Sequence, residues 1–293
     1  MVIIKRYDHC NSHSRDLRLM WYHPDINPVA LSIGPFSIAW YGITYLLAFA
    51  VAWWLAKRNS MRPWAPIRTG EQVESLIVYG AWGVIIGGRL GYVLFYALDK
   101  WLENPLMIVY INQGGMSFHG GLMGVCLAIL IFSRKYKISF LTLGDFAAPL
   151  VPTGLMFGRI GNFINQELYG RPTDGPWAMI FPADPELLPR HPSQLYEAAL
   201  EGLVLFLIIN WYARKPRLQG EVAGLFLVLY GAFRFSIEFV RQPDAQFAGQ
   251  SALLESFNWM TRGQTLCIPM MLLGLWLMRK SFGPVETRIG GKR

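Results

Sequence analysis

Residues 75–98 read SLIVYGAWGVIIGGRLGYVLFYAL, a run in which Arg89 is the only formal charge. A helix needs about 20 mostly apolar residues to cross roughly 30 Å of hydrocarbon, and this stretch has them. Working outward, six further windows of the same kind cover 36–56, 117–133, 142–164, 195–213, 221–241 and 264–280. The whole chain is 53% hydrophobic and 16% charged, against about 25% charged in an average soluble domain. The expected fold is therefore all-α, a polytopic membrane bundle of about seven transmembrane helices with lipid as its solvent.

The loops between the windows alternate in charge, and cationic loops mark the cytoplasmic side. Lys57, Arg58, Arg62 and Arg68 follow the first span, and Arg134, Lys135 and Lys137 follow the third. Arg214, Lys215 and Arg217 follow the fifth, and Arg279, Lys280, Arg288, Lys292 and Arg293 the seventh. The remaining loops are poor in cations and hold Asp174, Asp184, Glu186, Asp244 and Glu255. This pattern predicts an outside N-terminus and a cytoplasmic C-terminus, with the Pro- and Gly-rich loop at 166–194 as a small extracytoplasmic lobe. The net charge of +8 is accounted for by cytoplasmic loops touching anionic lipid, so no nucleic-acid partner is called for.

Residues 1–19 carry Lys5, Arg6, Arg15 and Arg18, the wrong sign for an outside terminus, and lack the apolar stretch of a signal peptide. They are expected to be a non-native or disordered extension, with Met20 as the start of one transmembrane catalytic domain over 20–293. Cys10, Cys126 and Cys267 are too widely spaced for a disulfide framework or a metal site. No metal and no cofactor is expected.

An Arg at a helix centre costs about 2.5–3.5 kcal/mol on insertion scales and faces the bundle interior or a wet cavity. Arg89, Arg159 and Arg234 each sit inside a window. In the sixth window Tyr230, Arg234, Glu238 and Arg241 follow helical spacing and are expected on one face. The glycines at 80, 83, 87 and 91 of the second window remove side chains along a strip and read as helix packing.

The third window opens with GGMSFHGG at 114–121, which places His119 among glycines that let other groups approach. His is the side chain whose unperturbed pKa suits proton transfer at neutral pH. GRIGNFINQELYG at 158–170 concentrates Arg159, Asn162, Asn165 and Glu167 at the end of the fourth span, where a broken helix would line a cavity. RHPSQLYE at 190–197 adds His191 and Glu197, with Glu201 one turn further. Cations, amides and a His gathered together suggest a pocket for an anion such as a lipid phosphate. An anion transporter would gather the same groups, but inverted or parallel repeats are common there and none is visible. An intramembrane hydrolase would need a nucleophile arrangement that Asp145 and Ser236 do not supply.

These segments, together with Trp40-Tyr41-Gly42, GGRLGYVLFY at 87–96 and YGAFRFSIEFVRQPD at 230–244, resemble the prolipoprotein diacylglyceryl transferase family over about residues 28–280. The resemblance implies transfer of the diacylglyceryl group of phosphatidylglycerol to the lipobox cysteine of a prolipoprotein signal peptide, at the outer side of a bacterial cytoplasmic membrane. It also implies a phosphate clamp of Arg159 and Arg234 and a thiol base in His119. Tyr41, Asn162, Gly170 and Tyr230 then shape the pocket, and Glu167 and Glu238 orient the arginines. Arg89, Glu197 and Arg241 are further substrate-binding candidates.

Overall fold

The computed structural model describes residues 3–11, 14–34, 36–110, 114–242 and 260–279. Asp244, Glu255 and the cations from Lys280 onward lie outside the described residues. Two β-hairpin strands, β1 (Ile3–Asn11) and β2 (Ser14–Tyr22), open the chain, followed by β3 (Val29–Ile33) and β4 (Phe36–Ala39). The helices are α1 (Trp40–Ser60), α2 (Gly70–Tyr96), α3 (Leu98–Glu103), α4 (Phe118–Tyr136), α5 (Phe140–Ala147) and α6 (Val151–Ile164). Strands β5 (Met179–Ile180) and β6 (Pro189–Arg190) come next. One continuous helix then runs through α7 (Ser193–Glu197), a π-helical segment at Ala198–Val204 and α8 (Leu205–Tyr212). The last two helices are α9 (Glu221–Ile237) and α10 (Arg262–Arg279).

The chain is mostly helical, and the described residues include six strands that a search for apolar runs does not detect. Among the described residues three helices are long and apolar enough to cross a membrane, namely Gly70–Tyr96, Phe118–Tyr136 and Ser193–Tyr212. A fourth span results if α5 and α6 count as one broken helix. The other three windows coincide with α1, α9 and α10, which are shorter or less apolar. Helix α1 is rich in Trp and Tyr and ends in Lys57 and Arg58, because 36–39 pair with β3 as a strand and push the helix start to Trp40. Helix α9 has 17 residues. Helix α10 carries Pro269 inside it and an Arg at each end.

The contacts divide the chain into two compact units. One contains the described residues of 49–150 and 215–223. Its centre is the pair α2 and α4, which meet through glycine. A Cβ on Gly87 would stand 2.4 Å from the Gly120 carbonyl oxygen, and one on Gly83 would stand 2.8 Å from that of Gly124. Gly91 and Gly120 are equally close, whereas Gly80 faces open space. Three of the four glycines read as a packing strip thus do that work. Thr69 and Gln72 form a capping box at the start of α2. The segment before α9 is fixed on α5 because Asp145 accepts hydrogen bonds from the backbone N–H groups of Gly220 (2.6 Å) and Ala223 (2.9 Å).

The other unit contains the described residues of 1–48, 151–214 and 224–280. Within it α6 packs on the π-helical segment, where Gly202 lies against Met156, and on the start of α1, where Gly161 lies against Tyr41 and Thr44. The 166–194 loop folds as a small lobe. Tyr22 and Trp21 of β2 pair with β5, and β5 pairs with β6. Met20, Ala178 and Ile180 are buried together there. Arg190 forms a buried ion pair with Asp184 and lies over the Tyr169 ring at 4.9 Å. Hydrogen bonds from Arg190 and from the backbone hold the Asp184 carboxyl below its ordinary range, against the opposing effect of burial.

Adding one methyl at a site of such close approach overpacks it, which costs about 1–3 kcal/mol. Gly87→Ala is therefore expected to lower the melting temperature in detergent. Gly80→Ala, on the same helix with nothing near its Cβ, is expected to leave it unchanged or raise it. Equal effects of the two would contradict the glycine contact.

Candidate active site

The first helix after the lobe is anchored before it carries any charge. The chain leaves α6 at Ile164 and turns through Gln166 and Leu168, both at positive φ (56° and 57°). That turn exposes the carbonyls of Glu167 and Leu168. Gln194 Nε2 donates to the Glu167 carbonyl at 2.8 Å and Ser193 Oγ to the Leu168 carbonyl at 3.1 Å. Both side chains are fully buried. The polar residues of the SQ pair thus satisfy an unwound backbone, and they set the register of the helix that follows.

One turn later that helix presents Glu197, whose side chain has no exposed surface. Its Oε2 lies 2.6 Å from Arg159 Nε of α6 and 3.2 Å from Arg234 Nη1 of α9. Its Oε1 lies 3.9 Å from Arg241 Nε. Glu201, equally buried, stands 3.8 Å from Arg234 Nη1. On the other side of Arg234, Glu238 Oε2 is 2.9 Å from Nη2, and Thr261 Oγ1 donates to Glu238 Oε1 at 3.0 Å. Three arginines and three glutamates therefore form one paired network. Removing one partner from such a buried pair costs about 3–5 kcal/mol, because the other charge stays uncompensated.

The network is layered. The side chains of Glu197 and Glu201 are 0% exposed, whereas those of Arg159 and Arg234 keep 20% and 15%. The acids lie beneath and the guanidiniums form the open edge. A shared carboxylate oxygen holds two forks side by side, an arrangement suited to a bidentate anion such as phosphate.

The remaining candidates take distinct places. Asn162 links the network to the turn, since Arg159 Nη1 donates to Asn162 Oδ1 at 3.4 Å and Asn162 Nδ2 donates to Glu167 Oε1 at 2.8 Å. Glu167 thus reaches Arg159 through Asn162. Tyr41 packs on Gly161 of α6, with its hydroxyl 3.2 Å from that of Tyr45. Tyr230 precedes Arg234 by one turn of α9 and stacks on Phe226. Gly170 sits where three segments converge, and a Cβ there would come within 2.5 Å of the Val240 carbonyl oxygen and 2.7 Å of His191 Cβ. His191 Nδ1 lies 3.3 Å from the Tyr196 hydroxyl, and burial lowers its pKa.

Arg241 departs from the expected helix face. Helix α9 ends at Ile237, and Arg241 lies beyond it in a bridge with Gly170, its carbonyl accepting from Arg171 Nε at 3.0 Å. The sequence shows Glu201 one turn from Glu197 but gives it no place among the candidate site residues, and its approach to Arg234 is seen only in the structure.

Arg89 and His119 belong to the unit of α2 and α4. Arg89 is buried, and its guanidinium donates to the carbonyls of Met107, Ile108, Tyr110, Gly114 and Gly115. His119 stands exposed in the first turn of α4, edge-on to Phe118.

A family model for prolipoprotein diacylglyceryl transferase matches residues 28–280. A phosphatidylglycerol–prolipoprotein diacylglyceryl transferase of Azotobacter vinelandii is 54% identical over 256 residues, covering 87% of this chain and 94% of that protein. The proteins of the same name from Acinetobacter baylyi and Nitratidesulfovibrio vulgaris are 51% and 49% identical, covering 92% and 91% of this chain and 99% and 98% of theirs. On the strength of a match across nearly its whole length, the chain belongs to the prolipoprotein diacylglyceryl transferase family.

Proposed function

We propose that this protein transfers the diacylglyceryl group of phosphatidylglycerol to the thiol of the lipobox cysteine in a prolipoprotein signal peptide. It forms a thioether and releases glycerol phosphate, the first step of bacterial lipoprotein maturation. The observation that carries this reading to the residues is the pair of guanidiniums, Arg159 and Arg234, held on one buried oxygen of Glu197.

The chemistry asks for two things. The substrate cysteine attacks the glycerol carbon as a thiolate, and a free thiol with a pKa near 8.5 needs a base at neutral pH. His119 takes that proton. As the sulfur–carbon bond forms, the carbon–oxygen bond to phosphate breaks and its electron pair leaves with the oxygen. The phosphodiester, singly charged, becomes a doubly charged monoester. Fixed guanidiniums in a dry site stabilise that added charge more than water does. Asn162 and Glu238 hold the two arginines in place, and Glu167 holds Asn162. The acceptor thiol arrives on the substrate, so no enzyme cysteine enters the reaction.

The same reading places seven spans in the bacterial inner membrane, the N-terminus and the active site on the outer side, and the C-terminus in the cytoplasm. The alternation of cationic loops supports it. A reporter active only in the cytoplasm is expected to work when fused after Lys137 or Arg217 and to fail after Gly115 or Asp184. The opposite pattern would reverse the orientation.

The activity itself is tested with purified protein, phosphatidylglycerol labelled in its headgroup glycerol, and a lipobox peptide. The expected result is labelled glycerol phosphate together with a peptide heavier by one diacylglyceryl group, and neither with a Cys→Ser peptide. Movement of labelled lipid without headgroup release would favour a transporter.

A further inference from the structure

A guanidinium carries five N–H donors and no acceptor. In Arg89 all five are used on backbone: Nε donates to the Ile108 carbonyl at 3.1 Å, Nη1 to those of Gly114 and Gly115, and Nη2 to those of Met107 and Tyr110. Among the described residues no carboxylate pairs with it, and the side chain is buried. A charge taken out of water is tolerated in this way only when its hydrogen bonds are complete. No N–H is then left for a phosphate.

The chain turns a corner at Gly114 and Gly115 just before α4, and Arg89 ties their carbonyls to those of Met107, Ile108 and Tyr110. Gly114 and Gly115 run through it at φ 77° and 81°, and Gly115 lies so close to the Tyr92 ring that a Cβ would be 2.5 Å from it. Tyr92 is in turn 5.5 Å from the Arg89 guanidinium. Immediately after the corner the Ser117 backbone N–H donates to the Gly88 carbonyl at 2.9 Å, and Ser117 Oγ caps α4 by accepting from the Gly120 N–H at 3.2 Å. His119 follows in that first turn. Arg89, its neighbour Gly88 and Tyr92 therefore bind the corner from one face of α2.

We infer that Arg89 is a positioning residue for His119, fastening the Gly114–Gly115 corner from which α4 starts so that the imidazole is presented at a fixed point, and that it does not bind the lipid phosphate. This rests on the reading of His119 as the base for the substrate thiol. A Lys at this position keeps the charge but offers three donors from a single point, and so cannot hold both sets of carbonyls.

The test is steady-state transfer by the full-length protein in detergent, comparing Arg89→Lys, Gly114→Ala and His119→Gln with the parent from pH 7 to 9.5. Gly114→Ala disturbs the corner through its positive φ alone, since nothing lies near its Cβ, and serves if Arg89→Lys does not fold. For both corner variants the expected result at pH 7 is kcat at least about tenfold lower, with KM for phosphatidylglycerol and the melting temperature little changed. As the peptide thiol ionises on its own at high pH, the deficit should shrink, in parallel with that of His119→Gln. A scaffold or a phosphate ligand would show no such rescue. A raised KM for phosphatidylglycerol at unchanged kcat, or full turnover in a folded corner variant, overturns the inference. A rescue of His119→Gln without a rescue of the corner variants overturns it alone. Full turnover in His119→Gln, or a deficit independent of pH, removes the reading of His119 and the inference with it.

Discussion

One carboxylate without contact to water, that of Glu197, receives ion pairs from guanidiniums on two helices, Arg159 of α6 and Arg234 of α9. Two like charges would not otherwise rest side by side in a low-dielectric interior, where their repulsion is screened least. Glu201 and Glu238 complete the neutralisation on the Arg234 side. Glu197 and Glu201 are wholly enclosed whereas Arg159 and Arg234 are not, so these two guanidiniums form the open edge that the proposed clamp uses. Everything that fixes Glu197 also fixes this edge: the caps of Ser193 and Gln194 on the unwound turn, the π-helical segment that follows and the close seat of Gly202 on Met156.

The same logic appears in a different form around Arg89. There a buried guanidinium is satisfied by carbonyl dipoles alone, and its work is to shape backbone. The two solutions separate the arginines of this protein by role. In the proposed clamp Arg159 and Arg234 exchange a carboxylate partner for a phosphate, both contacts being ionic and both guanidiniums keeping some exposure. One whose five donors hold five carbonyls cannot do so without releasing the loop.

Much of this was legible in sequence. The long apolar runs announced α2, α4 and the helix from Ser193 to Tyr212, since membrane helices satisfy their own backbone and need only length and apolarity. The i,i+4 spacing of Arg234 and Glu238 announced their pair. What escaped depended on other information. The start of α1 was placed at 36 because Phe36–Ala39 is apolar, yet it pairs with Val29–Ile33 as a strand. Strands of two residues such as β5 and β6 leave no periodicity to read. Arg241 continued the helical spacing on paper but stands beyond the helix end. The π-helical segment has no sequence signal, and with it the approach of Glu201 to Arg234 was hidden. Arg89 could be recognised as buried, but only its partners distinguish a clamp from a fastener.

The central claim is that Arg234 serves as half of a phosphate clamp and is more than a counter-charge for Glu238. Its most direct measurement is the turnover of Arg234→Lys, with the melting temperature recorded in the same preparation. Lysine keeps the charge and loses the fork, so diacylglyceryl transfer should fall by about 10²-fold, the scale of losing a fixed donor at a developing anion, while the protein still inserts and melts near the parent temperature. Turnover close to the parent's in that variant would show that charge alone suffices, and would contradict the clamp.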